Sequence, residues 1–141
     1  MSANPTAATS MNDIGTLILR LLLGGQMLFH GVGKLQSGVA MIGDALEAKG
    51  LPRFFAYGVY VGEIMAPALL ILGLFTRPAA AVMGFNMIVA IGLAHMGDIF
   101  RITEHGAWAI ELQMFYLLGS LAVLFTGSGK LSVSRGRGAL N

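Results

Sequence analysis

Apolar residues run almost unbroken through four stretches of this chain, at about 14–33, 54–75, 78–97 and 107–126, with polar residues gathered between them. A helix needs about 20 residues to cross a hydrocarbon core of about 30 Å, and each stretch is about that long. Lipid offers backbone groups no hydrogen bonds, so such runs satisfy themselves as helices. The pattern predicts an all-α fold, a polytopic membrane protein built as a four-transmembrane-helix bundle. Thr76-Arg77-Pro78 separates the second and third runs, with Pro at a tolerated first helical position. Thr126-Gly127-Ser128-Gly129-Lys130 stops the fourth. Short turns join runs two to three and three to four, which makes those neighbours antiparallel. The longest connection, 34–53, sets Met41-Ile42, Leu46 and Leu51 near helical spacing among Lys34, Asp44, Glu47, Lys49 and Arg53. That predicts a short interfacial helix between spans 1 and 2. Residues 1–13 form a polar leader, 14–133 the membrane domain, and 134–141 a short basic tail.

Composition agrees. Only 11% of the 141 residues are charged and 55% are hydrophobic, with a mean hydropathy of +0.74. A soluble domain carries about 25% charged residues, so this chain lacks the polarity to cover a surface facing water, and the lipid bilayer is its expected surrounding. Cysteine is absent, which excludes disulfides, thiolate metal sites and cysteine-ligated iron–sulfur clusters. No metal site is expected, and the nine methionines read as packing or lipid-facing residues. The net charge of +2 is scattered, so nucleic acid is not an expected partner, and Lys130, Arg135 and Arg137 suit anionic headgroups. The first run has no basic flank before it and no small-residue cleavage site after it, and so reads as a retained span. Glycines within the runs, among them Gly24-Gly25, Gly31, Gly62, Gly84 and Gly119, let helices approach closely and make a homo-oligomer plausible. Pro67 should kink span 2.

Four spans put both termini on one side, here side A, with the opposite face side B. Side A holds Arg77, Lys130, Arg135 and Arg137, and side B holds Lys34, Lys49, Arg53 and Arg101. The positive-inside rule is tied, and Arg20 tips it toward cytoplasmic termini.

Ionisable residues inside a span are expensive and are functional candidates by default. Here they are Arg20, His30, Glu63, His95, Glu111 and, at the margin, Lys34. At about 1.5 Å rise per residue, Glu63 lies about 13 Å from side B, Glu111 about 7 Å, and His30 and His95 about 5 Å. Arg20, Met27, His30, Gly31 and Lys34 share one face of span 1. These placements predict a polar cavity opening toward side B, lined by His30, Lys34, Glu63, His95 and Glu111, with Tyr57, Tyr60, Trp108 and Tyr116 as candidate walls. Arg20 and Glu63 are near enough in depth for a structural ion pair joining spans 1 and 2. Lys34 is expected to snorkel to the headgroups. His30 and His95 suit hydrogen-bonded packing, or axial ligation of a haem iron. Glu111 lacks an obvious cation at its depth, and is read as protonated or functional.

The ordered series Leu19-Arg20, Phe29-His30-Gly31 with Lys34-Leu35, Gly62-Glu63, Leu72-Gly73-Leu74 with Thr76-Arg77, and Glu111 ahead of Gly127 and Gly129 resembles the DoxX family across about residues 14–133. The resemblance implies a four-helix protein of the bacterial inner membrane. The family is named for a subunit of thiosulfate:quinone oxidoreductase, and some relatives belong to oxidative-stress or thiol-handling membrane complexes. The positions that match its pattern are Arg20, His30, Lys34, Glu63 and Glu111. Without cysteine, any thiol chemistry would need sulfur from a partner or substrate. The function expected on this basis is a membrane oxidoreductase component binding a quinone-like molecule in the side-B cavity. His30, Lys34 and His95 would donate hydrogen bonds, Glu63 and Glu111 would relay protons, and a redox partner protein or bound cofactor would supply electrons. The rival readings are a small-solute or ion transporter and a non-catalytic accessory subunit.

Overall fold

A computed structural model describes residues 9–141, so residues 1–8 of the expected leader lie outside the described residues. Five helices follow one another: α1 (Met11–Ser37), α2 (Ala40–Glu47), α3 (Arg53–Leu72), α4 (Thr76–Asp98) and α5 (Glu111–Thr126). Among the described residues there is no strand, only an isolated bridge between Ile102 and Trp108. Helices α1, α3 and α4 are long and apolar enough to cross a membrane, while α5 has 16 residues.

The ends of the helices follow from local chemistry. Ser10 and Asp13 cap α1 reciprocally, each side chain accepting from the other's backbone N–H. Helix α3 stops at Leu72 because Gly73 takes a left-handed conformation, φ +70°, three residues before the apolar run ends. Helix α5 starts at Glu111, later than the run beginning at 107. Residues before it are held in the α4–α5 loop, where Ala109 N donates to the Arg101 carbonyl at 3.0 Å and Trp108 Nε1 to that of Ile99 at 2.7 Å.

Helices α1, α3, α4 and α5 close a ring around Leu23, Met27, Ala66, Leu70, Met83, Met87, Tyr116 and Val123. Small residues set the spacing, as packing in lipid favours. A Cβ on Gly24 would lie 2.8 Å from the Pro67 carbonyl oxygen, and one on Gly62 would lie 2.6 Å from Asn86 Cβ. Gly31 abuts the carbonyl of Glu63 itself. Pro67 marks an irregular stretch rather than a simple kink. It has no N–H to offer the Glu63 carbonyl four residues back, and the turn before it, Val61–Met65, widens to π-helical. Helix α4 carries a second π-helical turn at Ile91–His95. Both interrupt the apolar ladder near side B, and such turns are frequent at functional sites.

The two ends of the bundle are finished differently. At side A the chain after α5 folds back across the helix ends. Val133 N donates to the Leu72 carbonyl (2.9 Å), Arg77 N to that of Leu140 (3.1 Å), and Lys130 N to Asp13 Oδ1 (2.9 Å). The segment expected to serve as a headgroup-binding tail is therefore tied into the structure. At side B, α2 lies over the start of α3, joined by Arg53 to Asp44 (2.5 Å) and Glu47 (2.9 Å).

Candidate functional site

Arg20 and Glu63 do not pair. The Arg20 guanidinium is 1% exposed and donates to four backbone carbonyls. Two, Leu70 (2.9 Å) and Ile71 (3.1 Å), are at the end of α3, and two, Ser128 and Leu131, are in the returning chain. The last carbonyls of a helix have no partner within it, and a lipid-facing end has no water to supply one. Arg20 supplies those donors, so its side chain points to side A and away from Glu63. The expected ion pair is corrected on that ground.

Glu63 is held from the other direction. Lys34 Nζ lies 2.5 Å from Glu63 Oε2, with the Glu63 side chain 6% and the Lys34 side chain 28% exposed. The lysine therefore turns inward rather than snorkelling outward. The packing of Gly31 on the Glu63 backbone explains how. It fixes α1 against α3 so that Lys34, three residues on and one helical turn nearer side B, reaches the carboxylate. Asn86 Nδ2 of α4 donates to the other oxygen, Oε1, at 3.3 Å, and Tyr60 Oη of α3 donates to the Lys34 carbonyl at 3.1 Å. A buried pair is tolerable only when such additional hydrogen bonds accompany it.

The Lys34–Glu63 pair faces a cavity of about 150 Å³ lined by Met27, His30, Lys34, Glu63, Met87, Ala90, His95, Leu112, Gln113 and Tyr116. The cavity thus brings together His30, Lys34, Glu63 and His95 from four predicted positions. The fifth, Glu111, is exposed at the start of α5 and does not line it. Gln113 takes the inward place, because two residues along a helix turn the side chain most of the way round. The π-helical turns carry two of the lining residues, Glu63 and His95.

His30 meets the edge of the Tyr116 ring, 5.9 Å between centroids at 90°. His95 Nδ1 lies 3.2 Å from Asp98 Oδ2, and its Nε2 lies 3.0 Å from Gln113 Nε2. Both His95 nitrogens are therefore engaged, which gives a haem iron no free ligand there. Tyr57 and Tyr60 line a separate groove with Arg53 and Phe54 between α2 and the start of α3. Trp108 and His105 belong to the α4–α5 loop.

The inner wall is buried (Glu63, Met87, Tyr116), whereas His30 of α1 and Leu112 of α5 are exposed. Toward side A the cavity is closed by Leu23, Leu70, Met83 and Val123, each 0% exposed, with the Arg20 cluster beyond. Asn86 and Gln113 are the site residues missed from sequence. Both are amides inside apolar runs, and a screen for uncharged polar side chains in the spans, alongside ionisable ones, would have found them.

Comparison with known proteins gives a consistent picture. Residues 15–96 match the family model named DoxX. An uncharacterized protein of Haemophilus influenzae is 35% identical over 115 residues, covering 79% of this chain and 81% of its own. A Bacillus subtilis protein named "Putative oxidoreductase CatD" is 30% identical, covering 86% and 85% respectively. The uncharacterized membrane protein Rv3486 of Mycobacterium tuberculosis is 31% identical, covering 84% and 78%. No solved structure matches. With three membrane-length helices, these relatives identify a multi-pass membrane protein.

Proposed function

The chain belongs to the DoxX family, and from that premise we propose that it is a component of a membrane oxidoreductase system that binds a quinone-like ring in the side-B cavity. The observation that carries this reading is the cavity's lining: the exposed His30 and Leu112 on two neighbouring helices, together with the Lys34–Glu63 pair. A hydrophobic ring compound meets those two exposed side chains from the bilayer, without passing through water. At about 30 Å³ per water molecule, 150 Å³ equals about five waters. That volume suits a single ring, with any long tail left in lipid between α1 and α5.

The residues present fit such a ring. Lys34 places an ammonium beside a ring oxygen, Glu63 keeps that charge neutralised, and Asn86 holds the carboxylate in line. His30 and Tyr116 offer aromatic edges to the ring. A bound quinone would supply the two-electron chemistry, and electrons reach it from a partner or cofactor, since these side chains carry no redox centre. The relative named for an oxidoreductase supports the reaction class. The transporter alternative needs a through-path, and the four sealed side chains between cavity and side A weigh against one.

The reading includes four spans in the bacterial inner membrane, with α5 as the fourth, α2 at the side-B interface, and the termini cytoplasmic. At about 1.5 Å per residue, the 16 residues of α5 cover about 24 Å, and the apolar loop residues Trp108 and Ile110 extend it. Because the chain has no cysteine, single cysteines introduced at Val39, Thr103 and Lys130 report topology cleanly. Labelling by a membrane-impermeant maleimide should reach the first two from one side and the third from the other. All three labelling from one side would overturn the four-span arrangement. Ring binding itself is tested by photo-crosslinking with an azido-benzoquinone, for which labelled peptides from α1 and α5 are expected. Labels confined to α2 or the loops would refute the site.

A further inference from the structure

The ring-binding reading uses Tyr116 only as an aromatic edge and leaves its hydroxyl without a task. Tyr116 sits on α5 within the apolar core, 2% exposed, in one cluster with Leu23, Met27, Met83 and Met87. His30 and Phe115 each present a ring to it, both with centroids 5.9 Å away, at 90° and 69°. Such packing fixes where the phenol points, because a close-packed interior leaves a large ring little room to turn.

A buried phenol O–H ordinarily finds a hydrogen-bond partner. The side-chain hydrogen bonds at this cavity join Lys34 and Asn86 to Glu63, Gln113 to His95, and His95 to Asp98. Among the described residues, none reaches the Tyr116 hydroxyl. Nor is its oxygen sealed away, since the side-chain atoms that are both closed off and unpartnered there are Thr76 Oγ1, Gln113 Oε1 and Ser120 Oγ. The phenol oxygen thus keeps open surface, and the space that Tyr116 borders is the side-B cavity. Phenylalanine would fill the same place in the core without the cost of burying a hydroxyl. Packing accounts for the ring and not for the oxygen.

We propose that the Tyr116 hydroxyl is the donor that recognises an oxygen of the ring held in the cavity, and that it selects oxygen-bearing rings over hydrocarbon rings of the same shape. The inference rests on the ring-binding reading and adds to it a specificity-determining residue. A site built to hydrogen-bond a ligand oxygen discriminates against an analogue lacking it, because the protein group then stays unpaired. Carbonyl and hydroxyl oxygens both accept, so Tyr116 recognises the oxygen in either oxidation state of the ring. Lys34 is tied to Glu63 at 2.5 Å, and replacing it disturbs that pair along with the ligand. Tyr116→Phe removes one O–H and nothing else.

The test uses the full chain in lipid nanodiscs, with decyl-substituted benzoquinone and decylbenzene each competing against the azido-benzoquinone crosslink. In Tyr116→Phe the quinone should compete about tenfold more weakly, a difference of about 1.4 kcal/mol, while decylbenzene competes as it does in the parent. The variant should melt at or above the parent's temperature, because no internal bond is lost. Infrared difference spectra should place a carbonyl band of the bound quinone at higher frequency in the variant, which a merely structural role for Tyr116 would not produce. Undiminished quinone competition with an unmoved carbonyl band would overturn this inference and leave the ring site standing. Equal weakening of both competitors, or a lowered melting temperature, would overturn it by making Tyr116 a packing residue. A crosslink that excess quinone fails to displace from the parent would remove the ring-binding reading together with it.

Discussion

The two ends of this bundle each hold a cation from α1, and they treat it in opposite ways. At side A, Arg20 is enclosed and makes hydrogen bonds only to backbone carbonyls. At side B, Lys34 is partly exposed, pairs with one carboxylate, and borders a cavity that no side chain fills. An intramembrane charge is a functional candidate by default, and the comparison shows what separates the two cases. A charge whose donors are all consumed by the ends of neighbouring elements is holding the fold. A charge that leaves unspent hydrogen-bonding capacity around an accessible space is available to a ligand. Flexibility of the side chain fits the division too. Arginine presents a rigid fork of donors suited to several carbonyls at once, and lysine a mobile point charge.

The sharpest break of this contrast is Arg20→Met. It strands the carbonyls of Ile71, Ser128 and Leu131, while Leu70 keeps its bond from Gly73 N, and at about 1–3 kcal/mol for each unsatisfied group it should cost at least about 3 kcal/mol. Thermal unfolding in detergent measures it, and Arg20→Lys should restore little, because one ammonium cannot span four acceptors. A near-normal melting temperature in either variant would show that the side-A cluster is not structural.

Gly31→Ala comes next. Its new methyl overlaps the Glu63 carbonyl, so α1 must shift from α3 at a cost of about 1–3 kcal/mol, and Lys34 loses its registration. Gly33→Ala, where nothing lies within 4 Å, is the control and should stay within about 0.5 kcal/mol of the parent.

Glu63→Gln should cost less, about 1–2 kcal/mol, because the stranded Lys34 can turn to the interface and be solvated. It should nonetheless abolish retention of the ring. A loss as large as that of Arg20→Met would mean that the pair is structural as well, and the contrast between the ends would fail. Smallest is Arg53→Ala at the α2–α3 contact. That exposed pair of bridges should contribute little and weaken further in salt.

Much of the fold was legible in the sequence because run length and polarity are one-dimensional signals. The apolar runs anticipated α1, α3 and α4 to within a few residues, and α2 falls inside the connection where apolar and charged residues alternate. Depth along each run was also legible, which is why His30, Lys34, Glu63 and His95 converge as expected. Azimuth and partner choice were not. Depth allowed Arg20 to reach Glu63, but it said nothing of the unpaired carbonyls ending α3, which took the guanidinium instead. Glu111 was at a suitable depth on the wrong side of its helix, two residues from Gln113. The π-helical turns that carry Glu63 and His95 shift everything beyond them around the axis, and no composition rule marks the second one. The return of residues 127–141 across side A is held by backbone carbonyls and N–H groups that meet each other or the distant side chains of Arg20 and Asp13, and the pattern of side chains along the chain does not encode those partners.

The central claim, that side B is a ligand site and side A a seal, is tested most directly by extracting the gently purified protein and identifying its co-purifying molecules by mass spectrometry. The account predicts a quinone or hydroquinone in the parent, lost in His30→Ala and Glu63→Gln and kept in Glu111→Gln, whose side chain lies outside the cavity. Recovery of phospholipid alone, or equal loss in Glu111→Gln, would contradict it.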